Sequence, residues 1–183
     1  DDINLHRAEL KTDSYTTTIS DLLSTYKRGD LRIDPEYQRL FRWDLERQSE
    51  YIESLLLNIP TPPLFFATNP DGKSEVIDGL QRLSTLIKFF APEAFEEDVS
   101  IATVENNEQE QNNIRVATIL VGAPLVNSIE GYSVKTLPET LVRTLRYTRV
   151  PVILLEKESS TRARYHVFKR LNRSEERRVG KEC

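Results

Sequence analysis

The 183-residue sequence contains no methionine, and its single cysteine is the final residue, Cys183. Because no Met stands at position 1, we expect the N-terminus to have been cut or processed. The absence of any other cysteine excludes a disulfide framework, a thiol nucleophile and a cysteine metal site from the rest of the chain. The two histidines, His6 and His166, show no HExxH or HxxxH spacing, which argues against a zinc site.

Long apolar runs and glycine-rich phosphate motifs are also lacking. The sequence has no run of about eighteen apolar residues and no basic leader before a short apolar segment, so it predicts neither a membrane span nor a secretory signal. We expect a soluble, cytoplasmic protein. No GxxxxGK followed by Ser or Thr, no GxGxxG and no GxSxG occurs, which argues against a P-loop, a dinucleotide fold and a hydrolase elbow. The formal net charge of −4 argues against broad contact with nucleic-acid phosphates.

The last residues, Arg173 to Cys183, resemble the translation of a common sequencing adapter. We expect residues 173–183 to be an artefact that interrupts the natural sequence near Asn172, so they carry no prediction of fold. Residues 1–172 are long enough for one domain with a hydrophobic core and marginal for two.

Apolar residues recur at helical spacing in several stretches. A helix that begins with Asp44 as its N-cap would bury Leu45, Ile52, Leu55, Leu56 and Ile59 on one face and end at prolines 60, 62 and 63. The other predicted helices are Ile19–Tyr26, which Gly29 ends, Leu80–Phe90, which Ala91 and Pro92 end, a helix within residues 137–148, and Ser160–Leu171.

Short β-prone runs alternate with turn residues. "LFFAT", "NPDG" and "KSEVI" predict a β-hairpin whose turn is Asn69 to Gly72. Residues 31–43 are predicted as strand and loop, Ile114–Val121 and Arg149–Glu156 as strands, and the polar residues 93–113 as a surface insertion. Helices and strands mix without regular βαβ alternation, so the sequence predicts an α+β fold.

The stretch "IDGLQRLST", residues 77–85, predicts a strand, a turn and the start of a helix. Gly79 would allow a sharp turn and close approach of a ligand, and the first turn of the helix would present N–H groups to an anion. Arg82 could bind a phosphate, Asp78 a cation or water, and Gln81 a hydroxyl or water. A purely structural alternative is a capping box formed by Asp78 and Gln81.

The stretch "YQRLFRW", residues 37–43, interleaves aromatic residues with Arg39 and Arg42. Such side chains could stack on a base and contact phosphate. The alternative is that Tyr37, Phe41 and Trp43 anchor the core and the arginines face solvent.

Four ordered stretches resemble the family of GmrSD restriction endonuclease N-terminal domains, which has a ParB/sulfiredoxin-like fold. "YQRLFRW" is similar to the family's Tyr-Gln-Arg…Trp segment, and "ESLLLNIPTPPLFF" to its Glu-Ser helix followed by Pro-x-Pro-Pro. "VIDGLQRLSTL" is similar to its Asp-Gly-Gln-Gln-Arg motif, and "VFKRLN" to its Phe-x-x-x-Asn element. The resemblance spans about Ile19 to Asn172 and implies a small mixed sheet packed with helices. One position departs, because Leu80 stands where the family has Gln.

The resemblance implies a nucleotide-binding, NTP-hydrolysing regulatory domain of a modification-dependent DNA restriction system in antiviral defence. GTP or ATP with Mg²⁺ would be the cofactor, and a separate C-terminal nuclease domain outside these residues would cut DNA. The resemblance implies catalytic roles for Asp78, Gln81 and Arg82, with Asp78 also as metal ligand. The implied nucleotide-binding residues are Tyr37, Gln38, Arg39, Trp43, Gly79, Ser84 and Asn172. The alternative function is a DNA-binding module that senses a modification without hydrolysis.

Overall fold

A computed structural model describes residues 11–33, 43–92, 119–122, 124–157, 159, 164–167 and 169–171. Its centre is a five-stranded mixed sheet in the order β1-β5-β3-β4-β2. The strands are Thr12–Thr18 (β1), Leu31–Arg32 (β2), Leu64–Thr68 (β3), Ser74–Asp78 (β4) and Arg149–Leu155 (β5). The mixed sheet and its helices confirm the α+β class and are consistent with the ParB/sulfiredoxin-like fold that the resemblance implies.

The pairing of the strands explains how distant parts of the chain meet. β3 and β4 form the predicted hairpin, and β3 also runs parallel to β5, with Leu64 opposite Val152. β1 is antiparallel to β5 at one edge, and β2 is parallel to β4 at the other. Because β4 runs from Ser74 beside β2 to Asp78, the turn after Asp78 lies at the opposite end of the strand from β2.

The helices are Ile19–Lys27 (α1), Leu45–Leu56 (α2), Leu80–Phe90 (α3) and Glu139–Tyr147 (α4), with a 3₁₀ turn at Asn127–Ile129. Residues 164–167 and 169–171 are also helical. α3 is the central helix, because nine of its eleven residues are buried. Its side chains Leu83, Leu86, Ile87 and Phe89 are inaccessible to solvent and join the core formed with α1, α2 and the sheet. None of the helices in the described ranges is long and apolar enough to cross a membrane.

The helix after Asp44 differs from its prediction at its C-terminal end. It begins with Asp44 as N-cap, as predicted, but it ends at Leu56, before the prolines. Asn58 then adopts a left-handed conformation with φ of 55°, which turns the chain and leaves Ile59 outside the helix. Leu45 and Ile59 are exposed, so the predicted apolar face was wrong at these two positions.

Two strand predictions also differ from the structure. β1 was not predicted, because five of its seven residues are exposed and show no apolar alternation. The predicted strand Ile114–Val121 lies mostly outside the described residues. Its described end is not a strand, since Leu120 pairs with the backbone of residues 131 and 132 instead of joining the sheet. The insertion at residues 93–113 falls outside the described residues.

Candidate functional site

The turn between β4 and α3 is built around Gly79. Gly79 has φ of 90° and ψ of 17°, a left-handed conformation, and it is the N-cap of α3. A Cβ atom at Gly79 would lie 2.5 Å from Cδ2 of Leu64 and 3.1 Å from Nη2 of Arg82. Glycine is therefore required both by the backbone conformation and by the side chains that fill the adjacent space.

The capping-box interpretation of this turn was wrong. Because Gly79 occupies the N-cap position, Asp78 lies one residue too early to cap α3, and no side chain makes a capping hydrogen bond there among the described residues. The Asp78 carboxylate pairs instead with Arg82, with 3.2 Å between Oδ2 and Nη2. The Gln81 side chain turns to the stretch before α2, where its Oε1 accepts a hydrogen bond from the backbone N–H of Trp43.

Arg82 is directed into the protein. Its Nη1 donates to the carbonyl oxygens of Pro62 and Pro63, the latter at 3.2 Å, while its Nη2 bonds Asp78. The side chains of Arg82 and Asp78 are only 10% and 12% exposed. The guanidinium thus ties the segment before β3 to the turn after β4. To bind a phosphate directly, Arg82 would have to break some of these hydrogen bonds.

Tyr51 of α2 is near both Trp43 and Arg82. Burial raises the pKa of Tyr51 to about 12, and the nearby positive charge of Arg82 offsets part of that rise. The ring of Tyr51 meets the ring of Trp43 edge to face, with 5.9 Å between the centroids and 70° between the planes. The tyrosine therefore contacts Trp43 and lies within the electrostatic influence of Arg82.

Trp43 is fixed through its backbone as well as its ring. Its N–H donates to Oε1 of Gln81 at 3.1 Å, and its carbonyl oxygen accepts from Nε2 of Gln48 at 2.8 Å. The end of the aromatic stretch is thus brought to the first turn of α3, although the two lie 38 residues apart.

Ser84, one turn further along α3, is fully buried, and its hydroxyl has no hydrogen-bond partner among the described residues. The remaining predicted nucleotide-binding residues, Tyr37, Gln38, Arg39 and Asn172, lie outside the described residues. Within the ranges that the structure describes, no three His, Cys, Asp or Glu side chains come together as metal ligands.

A family model described as GmrSD restriction endonuclease, N-terminal domain, matches residues 19–177. The chain belongs to this family. Comparisons with curated proteins and with solved structures found no match. The matched range of the GmrSD N-terminal domain contains every element from α1 to β5, together with Trp43 and the turn that it contacts. Membership indicates a role in a restriction system.

Sequence reasoning missed two residues that contact the candidate site, Gln48 and Tyr51. Both lie on the buried side of α2, three residues apart, which places them on one face of the helix. Gln48 was missed because the predicted buried face was built from apolar residues alone, yet Gln48 is 2% exposed and belongs to that face. Tyr51, next to the fully buried Ile52, carried a signal that the helical spacing could have revealed.

Proposed function

We propose that this GmrSD-type domain binds a nucleoside triphosphate, GTP or ATP with Mg²⁺, at the start of α3. Hydrolysis of the nucleotide would regulate a nuclease domain of the same restriction system, and the full-length protein would contact modified DNA in antiviral defence. The observation that carries the proposal is the hydrogen bond between the Trp43 backbone and Gln81, because it brings an aromatic residue to a helix N-terminus that no side chain of the described residues caps.

The chemistry at the helix start suits an anion. First-turn N–H groups and the helix dipole favour negative charge, and α3 has no acidic residue in its first turn. Trp43 would form a wall of the pocket, and Gln81 would orient the phosphate or an attacking water. The Asp78–Arg82 pair would hold the turn in place from beneath. Tyr37, Gln38, Arg39, Ser84 and Asn172 stay predictions as further nucleotide-binding residues.

The donor set at the turn fits a Mg²⁺ ion that arrives with the nucleotide. Mg²⁺ in nucleotide sites is commonly held by one or two carboxylates together with phosphate oxygens and waters. Asp78 would supply the carboxylate through Oδ1, because its Oδ2 bonds Arg82. The described residues offer no cluster that could hold the ion without phosphate. When bound, the ion would neutralise charge on the phosphates.

The test is to titrate the full chain with GTP, ATP and CTP in the presence of Mg²⁺, and to compare Gln81→Glu with the wild type. Glutamate keeps an oxygen that accepts from the Trp43 N–H, but it adds a negative charge where phosphate would bind. We expect nucleotide affinity to fall about tenfold or more, whereas the stability of the fold should hold or rise slightly through the helix dipole.

Arg28→Ala is the matched control, because Arg28 belongs to an exposed ion pair with Asp30, next to β2 and away from the turn. Equal affinity in the wild type and in Gln81→Glu would reject the site. Salt-dependent DNA binding without nucleotide turnover would favour the modification-sensing module instead.

Leu80→Gln tests hydrolysis separately from binding. It restores the amide that the family motif has at this position, so we expect nucleotide turnover to rise by about tenfold or more while affinity changes little. Unchanged turnover at saturating nucleotide would show that Leu80 does not limit the chemistry.

A further inference from the structure

We infer that Gln48 and Tyr51 of α2 are positioning residues of the nucleotide site, acting through Trp43. This inference rests on the proposed function. Both residues lie outside the two stretches, residues 37–43 and 77–85, from which the site was predicted. Their role would be to fix the position of Trp43, the proposed wall of the pocket.

The polarity of the backbone fixes how the two glutamines act. A backbone N–H can only donate and a carbonyl can only accept, so Gln81 must present its oxygen to Trp43 and Gln48 must present its nitrogen. Both polar backbone groups of Trp43 are therefore held by side-chain amides from two different helices. The residue cannot shift relative to α3 without stretching the bond to Gln81, or relative to α2 without stretching the bond to Gln48.

Tyr51 adds a constraint on the indole ring. It lies three residues after Gln48, on the same face of α2, and it is 6% exposed. Its ring packs against that of Trp43 at 5.9 Å, and it feels the charge of Arg82. Backbone and ring of Trp43 are thus both set by α2, next to the ion pair beneath the turn.

Two other buried polar residues on α2, Ser49 and Glu53, bond a different part of the chain. The Ser49 hydroxyl accepts from the backbone N–H of Val121, and Oε1 of Glu53 accepts from the N–H groups of Leu125 and Val126. Ser49 is fully buried and Glu53 is 2% exposed, so they match Gln48 in burial. Because these bonds go to Val121, Leu125 and Val126 and not to Trp43, they provide a control within the same helix.

The experiment compares Gln48→Met with Ser49→Ala in the full chain, at a temperature where both are folded. Gln48→Met keeps the side-chain length but removes the donor to the Trp43 carbonyl. We expect affinity for whichever of GTP, ATP and CTP binds the wild type to fall about tenfold, which corresponds to about 1.4 kcal/mol. Ser49→Ala should bind the nucleotide like the wild type.

Trp43 is the chain's single tryptophan, so its fluorescence reports on this position alone. We expect Gln48→Met, but not Ser49→Ala, to shift its emission and raise its quenching by acrylamide. Tyr51→Phe keeps the ring and should retain the nucleotide affinity and the emission spectrum of the wild type. Tyr51→Leu removes the ring, so it should weaken nucleotide binding and shift the emission. This pair tests the inference even if Gln48→Met does not fold.

The outcomes separate the two claims. Wild-type affinity in Gln48→Met and Tyr51→Leu would overturn the positioning roles and leave the proposed function standing. An equal loss of affinity in Gln48→Met and Ser49→Ala would also overturn them, because it would indicate general destabilisation. If the wild type binds none of the three nucleotides, the proposed function fails and the inference fails with it.

Discussion

The starts of α2 and α3 solve the same physical problem in opposite ways. α2 begins after Asp44, whose Oδ1 accepts from the N–H of Arg47 at 2.8 Å, and Glu46 adds a negative charge to its first turn. α3 begins after Gly79, which offers no side chain, and it has no acidic residue in its first turn. One helix has a capping carboxylate, and the other has none among the residues that the structure describes.

The difference shows where each helix obtains its stability. α2 is partly exposed and gains from its cap, which contributes about 1 kcal/mol in typical proteins. α3 is buried along most of its length, so tertiary contacts stabilise it and a cap is dispensable. The carboxylate closest to its start, Asp78, is committed to Arg82. A bound anion at the start of α3 would therefore not be repelled by a capping carboxylate of the described residues. At the start of α2, the Asp44 carboxylate already occupies that position.

Arg82→Ala should give the largest loss of stability, because it breaks the buried ion pair between Arg82 and Asp78 next to the start of α3. It leaves the Asp78 carboxylate buried without its partner and removes the donor to the carbonyls of Pro62 and Pro63. Loss of one member of a buried pair typically costs about 3–5 kcal/mol. We expect a loss of this size in the free energy of unfolding, measured by urea denaturation.

The exposed pair of Arg28 and Asp30 calibrates that result, since both side chains are more than half exposed. Arg28→Ala should cost no more than about 1 kcal/mol. The double variant Asp78→Ala/Arg82→Ala should be more stable than the sum of the single losses predicts, because neither charge remains buried alone. Additive losses would contradict coupling between the two side chains.

Gly79→Ala should give the next largest effect, and Gly72→Ala is its matched control. Both glycines have left-handed φ, of 90° and 82°, but an added Cβ would meet Leu64 and Arg82 at Gly79 and nothing within 4 Å at Gly72. Conformational strain alone costs about 1–2 kcal/mol, and overpacking adds about 1–3 kcal/mol. We expect losses of about 3 kcal/mol for Gly79→Ala and about 1 kcal/mol for Gly72→Ala. Equal melting-temperature shifts would show that the contact is relieved by local adjustment.

The contrast between the two helix starts also marks what the sequence could predict of the fold. The hairpin, the Asp44 cap and the central helix were predicted, because turn residues, a capping side chain and apolar spacing are local signals. β1 was missed since its exposed Thr-rich residues owe their conformation to pairing with β5. The end of α2 was misplaced because Asn58, not the prolines, turns the chain.

The sequence predicted the turn between β4 and α3, but it did not predict which residues the side chains of that turn contact. The sequence indicated that Asp78, Gln81 and Arg82 act at a turn, yet it gave no sign that Arg82 bonds carbonyls at positions 62 and 63, because that contact exists only once β3 and β4 are paired. The capping box failed for a local reason, the left-handed conformation of Gly79. The partner of Gln81 is Trp43, which only the tertiary fold brings near.

High pH should lower the free energy of unfolding through the ionisation of Tyr51. Its pKa is raised to about 12 in the folded protein, against the ordinary 10.0 expected when the chain is unfolded. Its contribution to stability is therefore complete below about pH 10 and is lost as the pH rises through 12, by about 3 kcal/mol in total. Urea unfolding at several pH values checks this. Tyr51→Phe should show a shallower loss over the same interval, and identical slopes would contradict the role of Tyr51.

Asp44→Ala should give the smallest effect, because the capped start of α2 depends on a partly exposed interaction. Removing the carboxylate leaves the Arg47 N–H without its capping acceptor and should cost about 1 kcal/mol in the free energy of unfolding. Asp44→Asn keeps a capping oxygen but loses the charge, so it should cost only about 0.3–1 kcal/mol, and this part should shrink as salt is added. A salt-independent loss in Asp44→Asn would mean that geometry alone, and not charge, separates the start of α2 from that of α3.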